Sequence, residues 1–273
     1  MAELPILIIG GAGKTGARVN SLLRARGVPT RPVSRTTAIP FDWTRSETWP
    51  AALAGVSAAY VTYQPDLAVE GASDAIAELA RLAGESGLQH LVLLSGRGEP
   101  GAQRAEAALR RSGVPWTIVC ASWFNQNFSE GYLLDAVRAG EIMLPAGAVP
   151  EPFIDADDIA EVVAAALTDR RHAGKLYEVT GPRALTFAEA VAEIASAAGR
   201  RIEYRQIGPE EFAAGLRPHV AADVIDLMMD LFTVVLDGRN SAVAHGVELA
   251  LGRPARDFSD YARRTAAAGV WRT

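Results

Sequence analysis

The chain has 273 residues, of which 49% are apolar and 22% charged, and its formal net charge is −5. This is the profile of an ordinary folded protein, and the acidic balance argues against a nucleic-acid partner, which calls for basic surface. A single cysteine, Cys120, rules out a disulfide framework within the chain. The N-terminal stretch lacks a basic leader and no uncharged apolar run is long enough to span a bilayer, so a cytoplasmic protein with no membrane partner is expected.

In chain order, residues 4–9 form a continuous apolar run ending at Gly10-Gly11, as expected of a strand buried on both faces. Residues 15–26 carry Val19, Leu22 and Leu23 at helical spacing, with Gly27 as the stop. Short strands are expected at 29–34, 39–43 and 56–62. A helix at 69–83 follows, with Ile76, Leu79 and Leu82 on one face. A strand at 90–94 closes on Ser95-Gly96, a helix covers 102–111, and a strand covers 116–120. This alternation calls for a parallel sheet with helices on both faces: an α/β, Rossmann-type doubly wound domain over residues 1–150.

Residues 151–273 are expected to form a smaller, mixed, mostly helical substrate lobe, with segments returning to the first domain. Asp157 or Asp158 should cap a helix through Leu167. A strand is expected at 176–180. Thr186 and Glu189 have the spacing of a capping box that opens a helix to Ala198. A strand at 202–207 and mostly helical chain from Pro209 complete the lobe. The run at 224–236 is too apolar for a free surface helix. It suits packing on the body, lining a cavity or forming a dimer face, so a homodimer is left open.

The chemistry concentrates between the first strand and the first helix, at Gly10, Gly11, Gly13, Lys14, Thr15 and Gly16. Glycines there allow a tight turn and let main-chain amides approach a pyrophosphate at the positive end of a helix. Gly11, Gly13 and Gly16 fit G-x-G-x-x-G, whereas Gly10, Gly13 and Gly16 fit G-x-x-G-x-x-G; spacing alone does not choose between them. A P-loop is excluded, because Ile8 stands where its first glycine is required. A dinucleotide is therefore the expected cofactor. An NAD-specific fold places an acid about 20 residues beyond the turn. Here no acid occurs between Gly16 and Asp42, and the second strand ends in Ser34-Arg35. A guanidinium suits a 2′-phosphate, so NADP(H) is favoured over NAD(H).

The segments GGAGKTG, FDW, LVLLSG, AEAALRRSGVPWTIV, WFNQNF, PFIDADDIAEVVAAAL and DFSDYARRTAAAGVW resemble those of the NmrA-like atypical short-chain dehydrogenases. Within that family the likeness is to the branch of quinone reductases and ergot-alkaloid iminium reductases. The resemblance implies a nicotinamide site at Thr62-Tyr63, Ser95-Gly96 and Ser122-Trp123-Phe124. It also implies that Asp42-Trp43 lies beside the adenine. Ser95 occupies the position of the usual catalytic serine. The chain departs from typical short-chain dehydrogenases in having no Tyr-x-x-x-Lys pair: its two lysines, Lys14 and Lys175, follow Gly10 and Arg171 at that spacing.

With no Tyr/Lys pair, pre-activated acceptors such as quinones, iminium ions or enones are favoured over plain ketones, and the catalytic proton donor stays unassigned. Trp123, Phe124, Asn127 and Phe153 are the candidate walls for a flat, small-molecule substrate. The four histidines show no ligand spacing, so no metal is expected. A non-catalytic sensor that binds NADP(H) and reports its redox state to a partner protein is the competing reading.

Overall fold

A computed structural model describes residues 4–272. The elements in chain order are β1 (Ile6–Ile9), α1 (Lys14–Ala25), β2 (Thr30–Val33), α2 (Trp49–Leu53), β3 (Ala58–Val61), α3 (Ala72–Glu85), β4 (Leu91–Gly96), α4 (Pro100–Arg111) and β5 (Trp116–Ala121). They continue with α5 (Leu134–Ala139), β6 (Glu141–Leu144), α6 (Ala156–Thr168), β7 (Lys175–Val179), α7 (Phe187–Ala198), β8 (Glu203–Gln206), α8 (Pro209–Leu216), α9 (Ala222–Asp230), α10 (Gly246–Leu251) and α11 (Phe258–Ala267).

The chain divides into two compact units. The first comprises Met1–Ala121, Ala156–Val179 and His245–Arg253; the second comprises Ser122–Asp155, Thr180–Ala244 and Pro254–Thr273. This is a finer division than one cut near residue 150, because the chain passes between the units after Ala121, Asp155, Val179, Ala244 and Arg253.

The first unit is built on a six-stranded, wholly parallel sheet in the order β2-β1-β3-β4-β5-β7. The inner strands β1 and β3 are buried along their whole length, which is why they are apolar without alternation. Pro32 is tolerated in β2 because β2 is an edge strand, where a missing donor breaks no ladder on the outer side. β1 pairs with β2 on one side and β3 on the other, so the strand order reverses at β1. In such sheets ligands bind beyond the carboxyl ends of the strands at this reversal.

Residues 39–43 are not a strand. Pro40 lacks a donor, the Phe41 N–H returns to the Ser34 carbonyl, and Phe41 packs almost parallel to Trp49 in the core. Asp157 and Asp158 lie inside the first turn of α6 and do not cap it; there they pair with Arg18 and Arg253 respectively, each at 2.7 Å.

The second unit is mainly helical, with one short parallel pair, β6 and β8. Its core is aromatic: Phe128 and Phe153 touch each other and both touch Phe187 and Phe258, and the Trp271 indole donates to the Phe128 carbonyl at 2.8 Å. The capping box forms, with Thr186 and Glu189 exchanging hydrogen bonds at the start of α7. The apolar run after Val224 turns inward: Phe232 packs on Trp123, Phe187 and Phe212.

Candidate functional site

The turn after β1 is built from glycines that are there for different reasons. Gly10 has φ +72°, and a Cβ on it would lie 2.4 Å from Thr62 Oγ1. A Cβ on Gly11 would lie 2.5 Å from Pro32 Cβ, and one on Gly16 would lie 2.2 Å from the Gly10 carbonyl oxygen. These three are pressed between strands and helix, and none can become alanine without a shift. Both sequence registers thus contain glycines that the fold itself requires. Gly13 differs. Its backbone is ordinary (φ −78°, ψ 173°), and an added Cβ would meet only the Gly10 carbonyl, at 3.2 Å.

Gly13 stands at the N-cap of α1, with no side-chain cap and no acidic residue in the first turn of that helix. The first amides of α1 therefore lack the side-chain oxygen that usually satisfies them, in a setting suited to an anion. Lys14 opens the helix, and its carbonyl accepts from Arg18 Nη1 at 2.8 Å. The structure turns the Thr15 hydroxyl away from the turn: it is 5% exposed and accepts from the buried Tyr60 hydroxyl at 2.9 Å. Burial pushes the Tyr60 phenol well above its ordinary pKa.

Beyond β2, Thr37 closes a small loop by donating to the carbonyls of Ser34 and Ile39, while the Ser34 amide donates to the Thr37 hydroxyl. Arg35 stands exposed on this loop. Asp42 accepts from the Thr44 amide and hydroxyl at 2.9 and 2.8 Å. Those bonds, with smaller help from Arg35 and Arg45, hold its carboxyl below the usual pKa. Trp43 donates to the Thr62 carbonyl at 3.0 Å and lies 4.6 Å from Tyr63, ring to ring. The fold therefore gathers Asp42, Trp43, Thr62 and Tyr63 at the carboxyl end of β3. The Thr62 hydroxyl is spent on the Ile9 carbonyl, at 3.0 Å.

Ser95 is 3% exposed, and its hydroxyl donates to Glu106 Oε1 on α4 at 2.7 Å. Glu106 is itself buried and pairs with Arg110 at 3.3 Å. The hydroxyl that the resemblance puts in the catalytic serine's position is thus a tie between β4 and α4. Nearby, Glu99 precedes Pro100 at the start of α4 and its carboxyl lies against bare Gly96: a Cβ there would be 2.1 Å from Glu99 Oε1. Burial, then the neighbouring Asp66, pushes the Glu99 carboxyl up to about 9. Sequence reading missed Glu99; a Glu-Pro at a helix start reads as an ordinary cap.

In the second unit, Trp123 is half-buried, edge-on to Phe187 at 5.2 Å and tilted against Phe232 at 5.0 Å. Phe124 and Asn127 are also half-buried. Phe153, 2% exposed and in contact with three other phenylalanines, belongs to the interior of the unit, so it reaches a ligand only through its neighbours. Asn125, which sequence reading passed over in favour of Asn127, is fully buried, and neither Oδ1 nor Nδ2 has a partner. Ser122 Oγ, also buried, has none either. No sequence signal separates Asn125 from Asn127, since the difference lies in what surrounds each one.

Residues 103–253 match the NmrA-like family. The chain is similar to the NAD(P)H azoreductase of Xenophilus azovorans, with 31% identity over 96% of this chain and 98% of that protein. Festuclavine dehydrogenase of Aspergillus fumigatus shows 27% identity over 96% of this chain and 97% of its own length. Among solved structures, the NADPH-dependent quinone oxidoreductase of Escherichia coli complexed with NADPH shares the fold, with a TM-score of 0.79, 20% identity, and coverage of 95% of this chain and 99% of that one. With its parallel sheet, its glycine turn at the strand-order reversal and likeness running nearly end to end, this chain belongs to the NmrA-like family of atypical short-chain dehydrogenases.

Proposed function

We propose that the chain is a NAD(P)H-dependent reductase that prefers NADP(H) and passes hydride to a small conjugated or pre-activated acceptor, namely a quinone, iminium ion or enone. The observation that carries the reading is the contrast inside the turn. Gly10, Gly11 and Gly16 are required by the fold, whereas Gly13 has the mildest steric demand of the four, a 3.2 Å approach to the Gly10 carbonyl, and sits where α1 begins without a side-chain cap. A glycine whose internal steric demand is slight, at the positive end of a helix, fits close approach by a pyrophosphate. Relatives named NAD(P)H azoreductase and festuclavine dehydrogenase support the redox reading.

When bound, the coenzyme supplies a hydride, and a quinone reduced in this way takes its balancing proton from water. The chain's own residues bind and orient. The turn holds phosphates, Trp43 and Tyr63 offer aromatic faces beside the end of β3, and exposed Arg35 with Ser34 offers donors to a 2′-phosphate. Trp123, Phe124 and Asn127 supply apolar walls and one polar group for the acceptor.

Calorimetric titration with NADPH and NADH tests the cofactor. Arg35→Asp should weaken NADPH by about 1.5–3 kcal/mol, the usual contribution of a hydrogen bond to a charged group, and leave NADH nearly unchanged. Equal NADPH affinity in that variant would remove the NADP assignment. Absorbance of reduced coenzyme, followed over a panel of quinones, enones and cyclic imines, tests the acceptor. Tight NADPH binding with no acceptor reduced would favour the redox-sensor role.

A further inference from the structure

Two loops of the first unit leave the carboxyl ends of the neighbouring strands β3 and β4. The loop after β3 carries Asp66 and the loop after β4 carries Glu99, so both acids belong to the same unit as the glycine turn and follow directly on Thr62-Tyr63 and Ser95-Gly96. Their carboxyl groups meet there. Glu99 lies over the bare Gly96 backbone, where a Cβ would stand 2.1 Å from Oε1 and 2.6 Å from Oε2. The hydrogen-bonding neighbour of Glu99 is the Asp66 carboxyl. Asp66 Oδ1 accepts from the Ala68 amide at 2.8 Å, while Glu99 Oε2 is buried with no hydrogen-bond partner among the described residues. Two ionised carboxylates have no hydrogen to share, so a pair in contact keeps one proton of its own. The other titratable groups around it are Cys120 on β5 and, beside Cys120, Glu106 and Glu178; none of these is a cation.

The remaining hydroxyls at these strand ends are already committed: Ser95 donates to Glu106 and Thr62 to the Ile9 carbonyl. Glu99 and Asp66 are only half-buried as residues, so the pair is not sealed from solvent. We propose that Glu99, paired with Asp66, is the proton donor of the reaction and delivers its carboxyl proton to the oxygen of a carbonyl acceptor, a quinone or an enone, as that acceptor is reduced. This rests on the reductase reading and adds the route of the proton. As the acceptor takes up hydride, the electron pair of its carbonyl bond goes to oxygen. That oxygen forms an O–H bond while the carboxyl O–H breaks, and the carboxylate left behind regains a proton from water. Burial and Asp66 push the Glu99 carboxyl up to about 9, so the acid is loaded at neutral pH.

The test compares two probe acceptors with the full chain and NADPH. 2-Methyl-1,4-naphthoquinone needs a proton to complete its reduction; the N-methyl-3,4-dihydroisoquinolinium ion needs none, since hydride alone turns it into an amine. Glu99→Gln keeps the shape of the side chain and a donor for Asp66 but has no acidic proton. It should slow the quinone by about a hundredfold or more, the usual factor for a general acid, and leave the iminium rate near that of the wild type. The wild-type quinone rate should fall above about pH 9, with the iminium rate flat over the same range. Asp66→Asn, which removes the like charge, should move that fall to lower pH. Without coenzyme, infrared difference spectra of the wild type at pH 7 should contain the carbonyl stretch of a neutral carboxylic acid, lost above about pH 9 and absent in Glu99→Gln.

A Glu99→Gln protein that reduces both probes at wild-type rates, or slows on both alike, overturns the proposal and leaves the reductase reading intact. A neutral-acid band that persists in Glu99→Gln, or is missing from the wild type, overturns it without recourse to turnover. A wild type that oxidises no NADPH with either probe removes both readings.

Discussion

The glycine turn of the first unit and the Ser122–Asn125 stretch of the second divide their work in opposite ways. At the turn the hydroxyls are committed inward and the main chain is left to meet the proposed coenzyme: the Thr15 hydroxyl serves Tyr60, the Thr62 hydroxyl serves Ile9, and the first amides of α1 lack a side-chain cap. At Ser122–Asn125 the backbone is committed, through Ile154, and the side chains are left over. A site made of main chain constrains residue identity through sterics, so it leaves glycines in the sequence. Buried side chains are constrained only by what surrounds them, so they leave no local mark.

The sharpest way to break this contrast is to add one methyl group at each kind of glycine. Gly16→Ala drives a Cβ to within 2.2 Å of the Gly10 carbonyl. It should cost about 3 kcal/mol or more, at the upper end for overpacking, and thermal unfolding would read it. Gly13→Ala should melt within a few degrees of the wild type yet bind NADPH far more weakly. If both variants unfold alike, Gly13 is structural and the contrast within the turn disappears.

Glu99 sharpens the comparison from the side of charge. Its carboxyl is pushed up to about 9 by burial and by Asp66, so between the ordinary carboxylate range and that value the folded chain holds a proton that the unfolded chain has released. Its contribution to stability is complete in acid, declines as pH rises above the ordinary range, and is lost through about 9. The slope is at most about 1.4 kcal/mol per pH unit. Melting temperatures taken from pH 6 to 9 should fall in the wild type and stay flatter in Glu99→Gln. Parallel slopes in the two proteins would show that Glu99 is ionised throughout.

Ser95→Ala gives the smallest effect. Removing the donor to buried Glu106 should cost about 1.5–3 kcal/mol of stability, the range for a hydrogen bond to a charged group. Turnover should stay within about tenfold of wild type, because general acid–base help typically supplies a larger factor. A thousandfold loss of kcat with unchanged melting would return Ser95 to the chemistry.

The parallel core of the first unit was readable because β1, β3, β4 and β5 are short apolar runs set between glycines and amphipathic helices. Residues 39–43 misled for a physical reason. Ile39, Phe41 and Trp43 alternate as a strand would, but their apolar surface is spent on packing a loop against Trp49 and Tyr63. The elements α2, α5 and β6 went unread because four to six residues are too few for a period to show. Within the candidate site, the glycine turn was legible from local pattern, and Arg35 stands exposed as a proposed contact. The inward turn of Thr15 and Ser95 was not legible, since each depends on a partner brought close only by folding: Tyr60, 45 residues away, and Glu106, 11 residues away.

The interleaving of the two units has a consequence for biosynthesis. A ribosome that has released the first 121 residues has made five of the six strands of the parallel sheet, but the partner that covers the outer edge of β5 is β7, Lys175–Val179. α10, whose Gly246 lies against the β7 backbone, emerges later still. The growing chain must therefore carry an open, apolar sheet edge through the synthesis of more than fifty further residues. During that interval it is a natural client for chaperones, and nascent chains stalled before residue 175 should be more readily degraded than those stalled after residue 253.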